Sequence, residues 1–187
     1  MHDDGRAPIA PALAGSRRAV AGGPASPPDL ESAAQALVRA ASAAGLTVAT
    51  AESLTAGMVA STIAGVPGAS AVLRGGLVVY ATELKSLLAG VPEETLDAHG
   101  AVSAETAAAL AEGAARRCGA DLGVGLTGVA GPDLQEGKPA GTVFVATSRR
   151  GEGAGVARLA LGGDRAQIRA AATLAGLEML RSAVMGE

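Results

Sequence analysis

Ser53, Tyr80 and Lys85 are the side chains of this sequence that could do nucleophilic chemistry without histidine or metal. A serine hydroxyl attacks a carbonyl only when a base takes its proton, and a lysine serves once desolvation or positive neighbours depress its pKa. A tyrosine can relay the proton or donate to developing negative charge. Each residue also has a plainer local reading. Ser53 could cap a helix, Lys85 could be a solvated surface lysine, and Tyr80 could be a core residue with its hydroxyl at the rim. Thr127-Gly128 could be turn chemistry. Arg165 is harder to explain locally, because a cation sits poorly at a helix N-terminus unless an anion binds there.

These residues must be positioned by the ends of strands. Leu46–Thr50 reads as a first strand, followed at Glu52, Ser53 and Thr55 by a helical pattern over about 53–64. Leu77–Tyr80 is a second strand, with Thr82 the expected cap of the short helix after it, and Leu122–Leu126 a third, delivering Thr127. Gly141–Thr147 and Gly155–Leu161 read as an antiparallel hairpin. Helices are expected from Asp29 to Gly45, from a Ser103 cap to Cys118, and from an Asp164 cap to about Met185. This alternation predicts an α/β fold: a three-layer α/β/α sandwich around a mixed, mostly parallel five-stranded sheet. In such a sheet ligands gather at the carboxyl ends of strands, where free backbone N–H groups favour anions. Residues 1–28, rich in Ala, Gly and Pro, are expected to form a disordered tail outside a single domain at 29–187.

Composition narrows the function classes. The chain has 187 residues, 49% hydrophobic but only 1% aromatic, so the core must be Ala, Val and Leu. With Tyr80 and Phe144 as the aromatics and a net charge of −3, neither a base-stacking surface nor a basic patch is available for nucleic acid. The lone Cys118 excludes an internal disulfide framework, and His2 and His99 are too few and too separated for a metal cluster. No run reaches membrane-spanning length, and Met1-His-Asp-Asp has no apolar core behind it. A cytoplasmic protein without cofactor or metal is expected. The Ala- and Leu-rich faces of 29–44 and 164–185 could support a homodimer or higher homo-oligomer.

The ordered blocks carry a further signal. They are Ala51-Glu-Ser53-Leu-Thr55-Ala-Gly57, Val66-Pro-Gly68-Ala-Ser70, Arg74-Gly-Gly76 through Tyr80-Ala-Thr-Glu-Leu-Lys85, and His99-Gly-Ala-Val-Ser103. Leu126-Thr127-Gly-Val-Ala-Gly131-Pro132, Lys138-Pro-Ala-Gly141-Thr-Val and Gly163-Asp-Arg165-Ala-Gln-Ile-Arg169 follow. Over about residues 30–185 the chain resembles the CinA C-terminal domain family, whose characterised members are nicotinamide mononucleotide deamidases. The resemblance implies hydrolysis of the nicotinamide carboxamide to nicotinate mononucleotide and ammonia. It implies Ser53, Tyr80 and Lys85 as catalytic residues, and Glu52, Thr55, Gly57, Thr127, Gly128 and Arg165 as contacts to a small nucleotide substrate. Ser53 would be nucleophile or water activator, Lys85 its base and Tyr80 a proton relay. Thr127 and nearby backbone N–H groups would hold the ligand or its oxyanion, and Arg165 would pair with a negative group such as the 5′-phosphate. Two positions depart from the common family pattern: Ala56 where many members have glycine, and Thr82 where many have asparagine. The alternative reading is a non-catalytic nucleotide-binding protein linked to competence or DNA damage. A short-chain dehydrogenase is excluded by the five-residue Tyr80–Lys85 spacing and by the absence of a Gly-x-Gly-x-x-Gly turn after the first strand.

Overall fold

Small residues on one side of the sheet and branched aliphatics on the other set the layers. The computed structural model describes residues 14–18, 25–150 and 152–187. In chain order these form β1 (Ala14–Arg18), α1 (Pro27–Ala44), β2 (Val48–Glu52), α2 (Met58–Ala64), β3 (Leu73–Val78), α3 (Thr82–Leu87) and α4 (Glu93–His99). They continue with α5 (Ala104–Cys118), β4 (Leu122–Gly128), β5 (Thr142–Arg149), β6 (Ala154–Ala160) and α6 (Arg165–Met185). The sheet order is β1-β6-β5-β4-β2-β3. The β2 strand pairs in parallel with both β3 and β4, β5 is antiparallel to β4 and β6, and β1 is parallel to β6. The α/β class, the mixed sheet and the flanking helices are as expected.

Along β4 the period of two decides which helix each residue meets. Leu122, Val124 and Leu126 join the cluster containing Leu37 of α1, Ile63 of α2, and Ile168, Leu177 and Leu180 of α6. The alternate residues Gly123 and Gly125 face α5, where an added Cβ would collide with the carbonyls of Ala111 and Ala107. The α5 face opposing them is Ala107, Ala111, Ala114 and Ala115. Alanine against glycine lets helix and sheet approach closely, which is how so aromatic-poor a chain fills its interior. Helix ends follow ordinary chemistry. Ser103 Oγ accepts from Thr106 N at 3.1 Å, Asp164 accepts from Gln167 N at 2.9 Å, and Gly45 and Gly119 stop their helices at positive φ.

Several boundaries differ from those expected. Residues 14–18 fall in the segment expected to lie outside the fold, yet they add a sixth strand along β6. Leu46–Thr50 is replaced by Val48–Glu52, because Thr47 is pegged by Asp121, which accepts from its N–H at 2.8 Å and its hydroxyl at 2.6 Å. The strand expected at 77–80 runs over 73–78 and includes Gly75-Gly76, whose lack of side chains hides the strand pattern. Gly76 is needed there, since a Cβ would stand 2.7 Å from Thr50 Oγ1 and 2.9 Å from Ala60. Thr82 opens α3 but does not cap it; Ala81 holds that position without a side-chain bond. The helix α4 was not anticipated. Among the described residues no helix is long and apolar enough to cross a membrane.

Replacing Gly125 by alanine forces apart α5 and β4, with a stability loss of about 1–3 kcal/mol. Urea unfolding of G125A beside an alanine substitution at the open Gly153 checks this: the two variants should differ clearly in midpoint.

Candidate active site

The carboxyl end of β2 is organised by a carboxylate. Glu52 is fully buried, and its two oxygens accept from Thr50 Oγ1 at 3.0 Å and from the N–H groups of Gly57, Val59 and Ala60 at 2.9, 3.1 and 2.9 Å. It therefore satisfies the free N–H groups that begin α2. Expected as a substrate contact, Glu52 is placed with every hydrogen-bond donor it meets internal to the protein. It also removes the capping role from Ser53: α2 starts at Met58 with Gly57, at φ +95°, in the cap position. Gly57 serves as backbone for that arrangement rather than as cavity wall. Residues 53–57 form a separate turn, in which Ala56 adopts φ +50°, a left-handed conformation that costs alanine about 1 kcal/mol.

Freed from capping, the Ser53 hydroxyl meets Lys85. Lys85 Nζ donates to Ser53 Oγ at 3.2 Å, to the Val79 carbonyl at 3.0 Å and to the Tyr80 carbonyl at 3.3 Å, and the residue is only 2% exposed. Burial lowers the Lys85 pKa below the ordinary 10.5, opposed by the negative charges of Glu136 and Glu83. Three acceptors match the three N–H bonds of an ammonium. Once the amine is neutral, the two carbonyls hold its two N–H bonds and turn the lone pair toward Ser53. The pair is then a nucleophile with its base in place.

Ser53 opens into a cavity of about 260 Å³ whose wall includes Leu54, Tyr80, Gly128, Asp133 and Arg165. Tyr80 is 56% exposed, two residues beyond the end of β3, and its hydroxyl accepts from Arg165 Nη2 at 2.9 Å. Arg165 Nη1 donates to the Gly131 carbonyl at 2.8 Å. The structure thus places Tyr80 and Arg165 together at the rim, with the phenol bonded to the guanidinium rather than to the dyad. Gly128 lines the wall, and a Cβ there would stand 2.7 Å from the Thr142 carbonyl.

Two expected contacts lie behind the wall. Thr127 is 1% exposed and its hydroxyl donates to the Ala101 carbonyl at 2.6 Å, fixing the loop before α5. Thr55 is fully buried, and its Oγ1 has no hydrogen-bond partner among the described residues. Expected as direct ligand contacts, both are placed outside the lining of the cavity.

Two residues were missed in the sequence. Glu136 accepts from Ala101 N at 2.8 Å and Val102 N at 3.0 Å, tying the 133–138 loop to the same segment that Thr127 holds. Nothing in the sequence distinguishes it from a solvated loop acid. Arg169 donates through Nε to the Leu54 carbonyl at 2.9 Å and through Nη2 to the Thr55 carbonyl at 3.0 Å. Its signal was legible: it lies one helical turn from Arg165, on the same face of α6.

The chain matches the CinA C-terminal domain family over residues 30–184. It is 47% identical over 139 residues to a competence-damage inducible protein of Streptococcus pyogenes, covering 74% of this chain and 33% of that protein. A protein of the same name from Limosilactobacillus reuteri is 46% identical over 132 residues, covering 70% and 32%. The chain therefore spans about a third of the length of these curated relatives. Among solved structures, the competence/damage inducible protein CihA of Agrobacterium tumefaciens is similar, with TM-score 0.79, 36% identity, and coverage of 89% of this chain and 99% of that one. A CinA superfamily protein of Klebsiella pneumoniae gives TM-score 0.81 and 30% identity, covering 84% and 99%.

If Glu52 holds α2 rather than ligand, Glu52→Gln costs roughly 2–4 kcal/mol, because an amide NH2 then faces backbone donors. Denaturant unfolding measures the loss.

Proposed function

This chain belongs to the CinA C-terminal domain family, and on that premise we propose that it hydrolyses the carboxamide of nicotinamide mononucleotide to nicotinate mononucleotide and ammonia. The observation that carries the reading is the Ser53–Lys85 contact at 3.2 Å, with the lysine buried and the serine open to a cavity. Ser53 Oγ attacks the carboxamide carbon while Lys85 takes its proton. The carbonyl π pair moves onto oxygen and returns as the C–N bond breaks. Lys85 delivers its proton to the departing nitrogen, which leaves as ammonia. Water then adds to the acyl-serine ester, again with Lys85 as base, and releases the acid. Positioned base catalysis of this kind contributes about 10²–10⁴-fold. At the rim, the Arg165 guanidinium offers a charged donor to the 5′-phosphate, and Tyr80, bonded to it, moves with that contact.

Ammonia release measured across pyridine nucleotides and related amides tests the reading. Nicotinamide mononucleotide should be turned over, and Ser53→Ala and Lys85→Met should each lose at least about 10²-fold in kcat. Lys85→Arg should not recover activity, since a guanidinium stays protonated. Folded protein that turns over none of these amides refutes the deamidase assignment. Activity unaffected by Ser53→Ala favours a nucleotide-binding module instead.

The pH dependence follows from the same lysine. Activity requires the neutral amine, so kcat/KM rises as pH rises through the Lys85 pKa, on a limb below the ordinary lysine value of 10.5. Glu83 is exposed, and its charge holds that pKa up. Glu83→Gln should therefore move the limb to lower pH, by a few tenths of a unit at low salt and less at high salt. Profiles of kcat/KM for the two proteins check the sign.

A further inference from the structure

Three successive carbonyls are fixed in the turn that follows the nucleophile. The Ser53 carbonyl accepts from Ala56 N at 3.1 Å, the Leu54 carbonyl from Arg169 Nε at 2.9 Å, and the Thr55 carbonyl from Arg169 Nη2 at 3.0 Å and Met58 N at 3.2 Å. In a planar trans peptide the N–H points opposite the preceding carbonyl. The Leu54 N–H, sharing a peptide with the Ser53 carbonyl, is therefore directed away from the body of the turn. Among the described residues it donates to no acceptor. Leu54 is only 3% exposed and lines the cavity beside Ser53. That donor is therefore free to meet a ligand atom placed beside Ser53 in the cavity.

Resting on the hydrolase reading above, we propose that the Leu54 N–H receives the oxyanion formed when Ser53 attacks a carboxamide, and that Arg169 is the positioning residue that holds it there. As the Ser53 Oγ–carbon bond forms, the π pair lands on the carbonyl oxygen and the proton goes to Lys85. The N–H of the residue after the nucleophile is the donor that strand-turn-helix hydrolases use for this charge. Being fixed before the reaction, it needs no reorganisation as the charge appears. Arg169 supplies that fixity from outside the turn. Its planar guanidinium fork binds two adjacent carbonyls at once, through Nε and Nη2, in a fixed relative geometry. The same helix turn carries Arg165, bonded to Gly131 and Tyr80, so α6 grips both walls of the cavity.

Two variants and two readouts test this. One replaces Leu54 by its α-hydroxy acid, a backbone ester that removes the N–H, keeps the side chain and weakens the Ser53 carbonyl as an acceptor; the other is Arg169→Met. The readouts are ammonia release from nicotinamide mononucleotide and the rate at which a fluorophosphonate, whose phosphonyl oxygen occupies the oxyanion position, labels Ser53. The ester variant should lose about 10²–10³-fold in kcat, and a comparable factor in labelling, with KM within threefold. Arg169→Met should lose about 10–100-fold in both rates with the pH limb unmoved, because Lys85 is not among its contacts, and Arg169→Lys should recover part. The inference is overturned if the folded ester variant keeps both rates within threefold of the parent. It is equally overturned if the Arg169→Met loss appears only in KM. A parent protein that is labelled at Ser53 yet releases no ammonia refutes the substrate assignment alone, and labelling then decides the role of Leu54 and Arg169. If Arg169→Met does not fold, the ester variant decides.

Discussion

A buried acid whose hydrogen-bond partners, among the described residues, are all neutral donors is the constraint from which the rest of the site follows. The side-chain oxygens of Glu52 are held inside the protein by four hydrogen-bond donors, three of them the N–H groups that open α2. An acceptor placed there meets donors that the helix itself leaves unpaired, at the positive end of its dipole. The consequence for chemistry lies one residue further on. A serine at the end of a strand, just before a helix, ordinarily spends its oxygen on the helix N–H groups. With Glu52 already there, Ser53 is left outside the cap and its hydroxyl turns to Lys85. The helix is displaced to start at Met58, and the residues between become the turn that carries Ser53.

The lysine depends on an equally specific balance. Removing an ammonium from water favours its neutral form, and Lys85 is among the most completely buried large side chains of the protein. Two backbone carbonyls, from Val79 and Tyr80, stabilise it without adding charge. Glu136 and Glu83 act against the loss of the proton from further away. The first of these also ties down the 133–138 loop through Ala101 and Val102. Loop placement and lysine basicity thus share one carboxylate, so the position of that loop and the proton affinity of the base are coupled.

The layered architecture was legible because it rests on patterns that survive in one dimension: alternating apolar runs, Ser103 and Asp164 caps, and glycine stops at Gly45 and Gly119. The Ser53, Tyr80 and Lys85 set was legible because each sits near a strand end, and the sheet brings those ends together. The failures share a physical cause. Glu52, Thr55 and Thr127 carry polar groups next to the nucleophile or on the adjoining strand, and sequence cannot tell a group aimed into a cavity from one aimed at a backbone. Gly75-Gly76 obscured most of β3, because the contact that demands glycine lies on Thr50 and Ala60, distant in sequence. Arg169 was recognisable as part of a motif, but its acceptors are main-chain carbonyls more than a hundred residues away.

Those carbonyls explain why the last helix matters to a site built at the ends of the first strands. The turn after Ser53 is not covered by a ladder, since β2 ends at Glu52 and α2 has not begun. Beyond that point its one backbone-to-backbone tie to the central sheet, among the described residues, is the Ser53 N–H to the Leu126 carbonyl at 3.0 Å. A turn held by one such bond would exchange conformations easily, and Ala56 at positive φ already favours departure from the one observed. Arg169 opposes this by binding two carbonyls from a helix whose other side is packed into the main core through Ile168, Leu177 and Leu180. Rigidity is thereby transferred from the core to the turn that carries Ser53 through a single guanidinium. The same helix meets the rim through Arg165 one turn earlier, so the distance between nucleophile and rim is set by the rise of α6 rather than by the loops between them.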